Sequence, residues 1–381
     1  MKYAFISTLD TAKWGGSEEL WSRSATQLKK AGHEIFASLG YWARESEKAM
    51  DLARQGIELE FRIPETWGGA RRILKKLTRN KEKKFARLQR FRPDLAVISQ
   101  AYNGGGFDWA KWCRNAGIPY VIIVQCNSDL WWFHERDVSE AVTSYREASR
   151  VYCVSRANLE LLRLQVSEPL PNAEVVWNPY NVSPENPPSW PEEDEKWRMA
   201  CVARLEPCAK GQDLLIQTLA RPEWRDRPIE VNLFGAGPYE LNLRRMVKML
   251  NLKNVAFQGH VDDVRAIWER NHLLALPSRY EGLPLALVEA MWCGRPAIVT
   301  DVGGNAELCV DGETGFVAEA ATLLSFNKTL NRAWEKRSEW ATMGKEARAR
   351  AEEIVPRDTV SSFCERLQKC VAMGCGEVSV A

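Results

Sequence analysis

The chain has 381 residues, of which 45% are hydrophobic and 27% are charged, and its formal net charge is +2. A chain of this length can hold two or three domains that each bury a core, and the composition is ordinary for a soluble globular protein. The small net charge excludes a gross attraction of the whole surface to nucleic acid.

Cysteine and histidine usage argues against a zinc site. The sequence contains ten cysteines but no Cys-x-x-Cys pair, and its four histidines do not cluster with them. Cysteines of this kind in a large chain favour a reducing compartment, so we expect a cytoplasmic protein. Residues 1–7 have the pattern of a core strand rather than of a signal peptide. No run of about 18 apolar residues predicts a membrane-spanning helix.

The first half of the chain alternates apolar runs with helical segments. Strands are predicted at 2–8, 34–39, 58–61, 95–99, 120–124, 150–154 and 174–177. Such alternation predicts a doubly wound α/β domain. A loop with Gly15 and Gly16 joins the first strand to a helix over 17–31, which Ser17 would cap and Gly32 would end. Adjacent glycines let backbone amides approach a phosphate, but a tight turn alone also explains them.

A basic segment lies between two of these strands. Residues 71–92 contain eleven Lys or Arg and a single acid, Glu82, with apolar residues interleaved. The pattern fits an amphipathic helix that contacts an anionic membrane or an acidic acceptor, and it also fits a solvated helix that covers the sheet. Nucleic acid is a third alternative, but no array of stacking aromatics supports it.

Aromatic residues also gather in this half, where Trp131, Trp132 and Phe133 are contiguous. Core packing accounts for most of the aromatics. A strand or helix can bury only some of three contiguous aromatic side chains, however. The side chains that stay exposed could stack on an acceptor molecule.

The second half begins after a proline-rich stretch, 178–196, that is typical of a linker. A strand at 199–203 precedes Arg204, and Lys210 follows six residues later at the start of a helix. Two cations that flank one strand-to-helix loop can clamp a diphosphate, although surface salt bridges are the alternative. Further strands at 229–234 and 254–258 lead into glycine turns at 235–237 and 259–261.

Two glutamates, Glu281 and Glu289, stand eight positions apart within residues 278–305. Apolar runs at 273–276 and 296–300 flank a helix predicted over 284–293, so the stretch is the crossover unit of a parallel sheet. Ligands bind such sheets outside the carboxyl ends of the strands. Amides at Gly282 and Leu283 would favour an anionic or hydroxyl-rich ligand there, and carboxylates can accept hydrogen bonds from sugar hydroxyls.

Taken together, these motifs resemble the signature of the retaining glycosyltransferases of family 4, which have the GT-B fold and use nucleotide-sugar donors. The resemblance covers nearly the whole chain in order, through the motifs at 15–18, 204–210, 235–238, 259–261 and 281–289. It implies two Rossmann-like doubly wound domains that face each other across a cleft. The expected boundaries are 1–180 for the acceptor-side domain, 181–196 for the linker, 197–356 for the nucleotide-sugar domain and 357–381 for a final helix that returns to the first domain.

The resemblance also assigns site residues. The catalytic group would be Arg204, Lys210 and Glu281, and the acceptor-side group would be Gln125, Asn127 and Trp131. The donor-binding residues would be Gly15, Gly16, Gly235, Gly237, Val261, Gly282, Leu283 and Glu289. Family members often have a histidine where this chain has Gln125, and this departure leaves the transferred sugar open. No metal or other cofactor is implied.

The implied reaction transfers a hexosyl group from a nucleoside diphosphate sugar to an acceptor hydroxyl with retention of configuration. The acceptor could be a glycan, a lipid-linked molecule or a small molecule. A nucleotide-sugar epimerase of the same fold is one alternative, against which the scarcity of histidine counts. A non-catalytic sugar-nucleotide-binding protein is another, against which the presence of Arg204, Lys210, Glu281 and Glu289 counts.

Overall fold

The computed structural model describes residues 1–62, 81–192 and 196–375. The chain forms two compact units. The first contains residues 1–179 and the C-terminal residues from 358 onward, and the second contains residues 180–357. Each unit has its own parallel sheet with helices on both faces.

The first unit is built on seven parallel strands in the order β3-β2-β1-β4-β5-β6-β7. The strands are β1 (Lys2–Ser7), β2 (Glu34–Gly40), β3 (Glu58–Arg62), β4 (Leu95–Gln100), β5 (Tyr120–Val124), β6 (Arg150–Cys153) and β7 (Ala173–Val175). The α-helices described in this unit are Glu19–Lys30, Glu47–Arg54, Lys81–Phe91, Phe107–Asn115, Glu135–Arg146, Arg156–Val166 and Thr359–Cys375. Two 3-10 helices, Gly16–Glu18 and Tyr41–Glu45, follow β1 and β2.

Alternation along the central strand explains the two layers of helices. In β1, Tyr3 and Phe5 pack into the hydrophobic cluster on one face of the sheet, whereas Ala4 and Ile6 pack into the cluster on the other. Successive side chains of a strand point to opposite faces, so a strand covered on both faces is apolar throughout. The strand order reverses between β1 and β4, which makes this the topological switch point where such sheets bind ligands.

The second unit repeats the architecture with six parallel strands in the order β10-β9-β8-β11-β12-β13. The strands are β8 (Trp197–Val202), β9 (Ile229–Phe234), β10 (Val255–Gly259), β11 (Leu273–Leu276), β12 (Ala297–Thr300) and β13 (Gly315–Ala318). The α-helices described here are Pro207–Lys210, Gln212–Leu219, Pro222–Arg225, Glu240–Met249, Val264–Arg270, Leu285–Trp292, Asn305–Leu308, Leu323–Glu335 and Trp340–Ile354, with a 3-10 helix at Arg337–Glu339. The switch point of this sheet lies between β8 and β11.

The prediction of two Rossmann-like doubly wound domains is confirmed, since both sheets are parallel and carry helices in alternation. Two local details differ from the sequence analysis. Ser17 does not cap the helix Glu19–Lys30; it lies in the 3-10 helix and donates a hydrogen bond to Glu18 Oε1 at 3.1 Å. The helix predicted to begin at Pro284 begins one residue later, at Leu285, and Pro284 is its N-cap.

The segment predicted as a linker, of which residues 181–192 and 196 are described, packs on the second unit. Arg295 Nη2 donates to the carbonyl oxygen of Ser189 at 2.6 Å, and Arg348 Nη2 donates to that of Pro184 at 2.6 Å. At the other end of the chain, the helix Thr359–Cys375 belongs to the first unit, where Gln27 Nε2 donates to Ser361 Oγ at 3.0 Å.

The described part of the basic segment covers the first sheet from residue 85 onward. Phe85 stacks on Trp112 with ring centroids 5.6 Å apart, Phe91 lies 5.6 Å from Phe36, and Leu88 is buried. Residues 71–80 lie outside the described part of the chain, so contact of this segment with an anionic membrane stays a prediction. Within the described residues, no helix combines the length and the apolarity that crossing a bilayer requires.

Glu18 is a buried carboxyl group beside the Gly15-Gly16 loop, and burial raises its pKa from 4.5 to about 7. Its oxygens accept hydrogen bonds from Trp21 Nε1 at 3.0 Å and from Ser17 Oγ. Because the pKa is higher in the folded state, the protonated carboxyl stabilises the fold below pH 4.5, and this contribution is lost as the pH rises through 7.

We therefore expect Glu18→Gln, which keeps the shape and removes the charge, to raise the melting temperature at pH 8 and to leave it nearly unchanged at pH 4.5. The shift in pKa corresponds to a difference in the free energy of unfolding on the order of 3 kcal/mol. Thermal unfolding of both proteins across this range checks the result. A melting temperature of the variant that follows that of the parent at every pH would contradict it.

Candidate functional site

Lys210 and Glu281 meet at the switch point of the second sheet. Lys210 Nζ lies 2.7 Å from both Oε1 and Oε2 of Glu281, although 71 residues separate them in sequence. Lys210 ends the short helix after β8, and Glu281 lies in the loop after β11. Only 6% of the Glu281 side chain and 23% of the Lys210 side chain are exposed, so the ion pair is largely removed from water.

Close backbone contacts between these two loops position the pair. Gly211 has φ +65°, and a Cβ atom there would lie 1.9 Å from the carbonyl oxygen of Pro277. Two residues before Gly211, the carbonyl oxygen of Ala209 accepts from the amide of Arg279 at 2.7 Å. The loop after β8 therefore crosses the loop after β11 at a distance that only glycine permits.

Buried hydroxyl groups fix the Glu281 carboxylate from the other side. Ser278 Oγ donates to Glu281 Oε1 at 2.8 Å, and Thr300 Oγ1 donates to the carbonyl oxygen of Ser278 at 2.5 Å. Charge-assisted hydrogen bonds of this kind hold a carboxylate in one orientation. The sequence analysis did not single out Ser278, which follows one predicted strand, or Thr300, which ends the next.

Arg204 lies on the same loop as Lys210 but makes a different ion pair. Its Nη2 atom pairs with Glu206, and its carbonyl oxygen accepts from Gln212 Nε2 at 2.8 Å. The exposed fractions of the Arg204 and Glu206 side chains are 37% and 24%. A pair this exposed contributes little stability, so an anionic ligand can compete for the guanidinium.

The glycine turn at 235–237 packs against the loop after β8. Cβ atoms at Gly235 and Gly237 would lie 2.2 Å from Ala203 O and 2.3 Å from Leu205 O. The chain itself therefore requires glycine at both positions, whether or not a ligand binds there. The amide of Gly235 also donates to Gly259 O at 2.7 Å, which brings the turn before the half-buried Val261 to the same edge of the sheet.

Gly282 and Leu283 connect Glu281 to the helix Leu285–Trp292. The Gly282 carbonyl accepts from Gly304 N at 2.8 Å, and a Cβ atom at Gly303 would lie 2.3 Å from Glu281 O. Intrahelical bonding begins with the amide of Leu287, so the amides of the first turn have no acceptor within the helix. These amides and the helix dipole favour an anion at the same edge of the sheet.

Glu289 is buried in the middle of this helix, where it is 3% exposed. Its Oε1 atom accepts from the amide of Asn181 at 3.0 Å and from Asn181 Nδ2 at 2.8 Å. The sequence analysis placed Asn181 in the linker and gave it no role. The only indication of a role for Asn181 in the sequence was a polar amide side chain within a proline-rich stretch.

A second ion pair stabilises the same region. Arg279 binds Asp213 in a bidentate manner, with Nη1 to Oδ1 at 2.7 Å and Nη2 to Oδ2 at 2.8 Å. The hydrogen bonds with Asp213 raise the pKa of Arg279. This pair ties the loop after β11 to the helix Gln212–Leu219, and the sequence analysis missed it because the two residues are 66 positions apart.

The remaining predicted residues belong to the first unit. Gly15 is extended, with φ −158° and ψ 174°, and Gly16 begins the 3-10 helix. A Cβ atom at Gly15 would meet Leu9 Cδ2 and Ser17 Oγ at 3.6 Å, an ordinary contact distance. Unlike Gly235 and Gly237, Gly15 is therefore not required by the packing of its described neighbours.

Gln125 and Asn127 follow β5 and are both buried. Asn178 Nδ2 donates to Gln125 Oε1 at 2.8 Å, and Asn127 Oδ1 accepts from Ser128 N at 2.8 Å. The Gln125 Nε2 and Asn127 Nδ2 atoms have no hydrogen-bond partner among the described residues. The backbone N–H of Ser128 needs an oxygen acceptor, so the contact fixes which end of the Asn127 side-chain amide is the oxygen.

Trp131 is only partly buried, and its ring packs edge-on against Tyr102 at 5.9 Å. Its carbonyl oxygen accepts from Asn103 Nδ2 at 3.2 Å and from Gln165 Nε2 at 3.1 Å. The neighbouring Trp132 is 60% exposed. The structure thus gives Trp131 a packing role and presents Trp132 to solvent.

In the described part of the chain, no three His, Cys, Asp or Glu side chains lie close enough together to hold a metal ion.

Comparison with known proteins matches the residues of the second unit to one family. Residues 182–350 match the family described as glycosyl transferases group 1. The D-rhamnosyltransferase WbpZ of Pseudomonas aeruginosa is 30% identical over 150 residues, which are 38% of this chain and 38% of that protein. The D-inositol 3-phosphate glycosyltransferase of Gordonia bronchialis is 29% identical over 188 residues, or 45% of this chain and 41% of that protein. The matched segments therefore span less than half of these two relatives.

A comparison of folds extends the similarity to nearly the whole chain. The crystal structure of Anabaena HepE in complex with UDP-glucose superposes with a TM-score of 0.72 and 20% identity, and the match covers 98% of this chain and 100% of that one. At this identity the likeness concerns the fold. The predicted GT-B fold class is thereby confirmed, and the residues around Lys210, Glu281 and Glu289 lie within the segment that matches the glycosyl transferases group 1.

Proposed function

We propose that this chain is a retaining hexosyltransferase of glycosyltransferase family 4, which binds a nucleoside diphosphate sugar on its second unit and transfers the sugar to an acceptor hydroxyl. The observation that carries the proposal is the ion pair of Lys210 with Glu281 at the switch point between β8 and β11. This is the position at which Rossmann-like sheets bind nucleotides.

Lys210 and Arg204 have the donor capacity to hold the diphosphate. An ammonium group has three N–H donors, so Lys210 can keep its contact with Glu281 while it binds a phosphate oxygen. The exposed ion pair of Arg204 with Glu206 can yield to a bidentate contact with phosphate. Together with the helix amides that follow Leu283, these groups can neutralise the leaving diphosphate.

Glu281 is poorly suited to act as a nucleophile or general base. Both of its oxygens accept from Lys210, and Oε1 also accepts from Ser278. In our proposal Glu281 holds Lys210 in place and borders the donor sugar, and the leaving phosphate itself assists the incoming hydroxyl. Transfer then takes place on one face of the sugar, and the anomeric configuration is retained.

Glu289 would bind the ribose of the donor. A carboxylate offers about four lone-pair sites for hydrogen bonds, and the two bonds from Asn181 fix the orientation of the Glu289 carboxylate. Its burial one turn inside the helix suits a fixed acceptor for hydroxyl groups. Val261 and the turn before it would border the base.

The proposal includes a cytoplasmic location and no metal cofactor. Nine of the ten cysteines carry reduced thiols, which supports a reducing compartment. For the metal, the support is that Arg204 and Lys210 can supply the positive charge at the proposed diphosphate that a divalent ion would otherwise supply.

A panel of nucleotide sugars tests the proposed function. A ligand present at 100 times its dissociation constant adds about 2.7 kcal/mol of stability, so the true donor should raise the melting temperature. UDP-glucose, UDP-galactose, UDP-N-acetylglucosamine and GDP-mannose make up a first panel, with each free nucleotide as a control. If no nucleotide sugar stabilises the protein and none is hydrolysed, the proposal is wrong.

We expect transfer to survive an excess of EDTA and to yield a product with the anomeric configuration of the donor. The physical reason is that Arg204, Lys210 and helix amides take the place of a cation at the diphosphate. Activity assays before and after chelation check the first result, and proton NMR coupling constants of the product check the second. Activity that is lost on chelation and restored by manganese, or an inverted product, would contradict the mechanism.

A further inference from the structure

Three large apolar side chains of the first unit face solvent in two neighbouring loops. The exposed fractions are 48% for Tyr102, 75% for Leu130 and 60% for Trp132. We call these three residues the aromatic loop surface. Tyr102 follows β4 and the other two follow β5, so the surface lies at the carboxyl end of the sheet, one strand from its switch point.

Buried amides hold this surface in a fixed conformation. Asn103 Nδ2 donates to Gln165 Oε1 at 2.9 Å, and Gln165 Nε2 donates to the carbonyl oxygen of Ser128 at 2.8 Å. Asn103 and Gln165 are 1% and 4% exposed. The indole Nε1 of Trp132 donates to Asp129 O at 2.8 Å, which restrains the exposed ring. A surface ordered before binding loses little conformational entropy when a ligand arrives.

The charges around the aromatic loop surface are mainly negative. Asp129, Glu135 and Asp137 are exposed within residues 128–137, where Arg136, which pairs with Asp137, is the single Lys or Arg. These carboxylates disfavour a phosphorylated ligand and an anionic lipid surface. They can accept hydrogen bonds from hydroxyl groups, and Asn127 Nδ2 is a buried donor at the base of the same loop with no partner among the described residues.

We propose that the aromatic loop surface is the subsite for a neutral saccharide acceptor, whose ring stacks on Trp132 while Asp129 accepts from its hydroxyl groups. This inference rests on the proposed glycosyl transfer, since it names the acceptor class of that reaction. A pyranose has an apolar face of C–H groups and a rim of hydroxyls. Such a ring matches a fixed indole bordered by carboxylates, because aromatic faces bind apolar surface and carboxylates bind the polar rim.

Saturation-transfer NMR on the full-length protein tests the subsite with methyl α-glycosides of D-glucose, D-galactose, D-mannose and L-rhamnose as probes. We expect at least one glycoside to receive saturation at its ring protons. Trp132→Leu keeps the apolarity but removes the aromatic face, and it should weaken this binding about tenfold, the scale of one aromatic contact. Trp132→Tyr should retain most of the binding.

Two further variants separate a saccharide subsite from a lipid-binding surface. Leu130→Ser removes the most exposed apolar group while the indole remains, and Leu164→Ser is the matched control at another exposed leucine of the same unit. Leu164→Ser should bind the glycosides as the parent does, and Leu130→Ser should weaken glycoside binding less than Trp132→Leu does, because the stacking indole remains. The proposal is overturned if no glycoside receives saturation, or if Trp132→Leu binds as well as the parent. It is also overturned if the parent binds phosphatidylcholine vesicles and Leu130→Ser abolishes that binding.

Assays of nucleotide-sugar binding and hydrolysis by the parent protein distinguish a failure of this inference from a failure of the proposed function. Glycoside binding that depends on Trp132, without any binding of a nucleotide sugar, would leave the subsite standing and refute the transferase. Nucleotide-sugar turnover without glycoside binding would refute the subsite alone.

Discussion

Replacing Lys210 by Ala is expected to lower kcat/KM for the nucleotide sugar by about tenfold to more than a hundredfold. A charge-assisted hydrogen bond to phosphate contributes about 1.5–3 kcal/mol, and this contact strengthens as charge develops on the leaving diphosphate. Steady-state kinetics at subsaturating donor measure the loss. Lys248→Ala is the matched control, because Lys248 is an exposed lysine on the helix Glu240–Met249 of the same unit.

The same substitution should also destabilise the fold, because it leaves the 6% exposed carboxylate of Glu281 without its cation. Breaking a fully buried pair costs about 3–5 kcal/mol, and the partial exposure of Lys210 reduces this figure. The double variant Lys210→Ala/Glu281→Gln separates the two effects, since it removes the uncompensated charge as well. We expect it to recover much of the stability but none of the activity.

Two results would show that Lys210 does not bind the diphosphate. One is full turnover efficiency of Lys210→Ala, equal to that of Lys248→Ala, when rates are normalised to folded protein. The other is recovery of activity in parallel with stability in the double variant, which would assign the whole loss to misfolding.

The sequence analysis assigned Lys210 and Glu281 to one group of site residues but did not predict the ion pair between them, which the topology of the sheet explains. The sequence places Lys210 after β8 and Glu281 after β11, and in a Rossmann-like sheet these two strands are neighbours at the switch point. Strand identity was visible because buried parallel strands are continuous apolar runs. The position of the Lys210–Glu281 ion pair thus depends on the hydrophobic pattern, which marks the strands in the sequence, and on the order of the strands in the sheet.

Side-chain directions in the loops could not be predicted in this way. Trp131 and Trp132 are adjacent and identical, and contacts with Asn103, Gln165 and Tyr102 distinguish the partly buried Trp131 from the exposed Trp132. Asn181 similarly became a partner of Glu289 because the proline-rich segment folds onto the second unit. Such choices depend on contacts between residues far apart in sequence, for which a single sequence contains no local signal.

Gly211→Ala is expected to be among the most destabilising single substitutions in the second unit. The new Cβ would lie 1.9 Å from the Pro277 carbonyl oxygen, and Gly211 has φ +65°. The left-handed conformation costs a non-glycine residue about 1–2 kcal/mol, and forcing two backbone segments apart adds about 1–3 kcal/mol. Urea unfolding followed by tryptophan fluorescence should therefore show a midpoint well below that of the parent.

Gly312→Ala is the matched control, because Gly312 also has positive φ, +81°, but a Cβ atom there would meet nothing within 4 Å. The free energy of unfolding of Gly312→Ala should fall only by the cost of the left-handed conformation, about 1–2 kcal/mol. Equal destabilisation by the two substitutions would mean that the loop after β8 can move away from Pro277 without cost. Because Pro277 directly precedes Ser278, a loop that moves away also separates Lys210 from Glu281. Folded Gly211→Ala protein should therefore turn over the nucleotide sugar more slowly than folded Gly312→Ala protein.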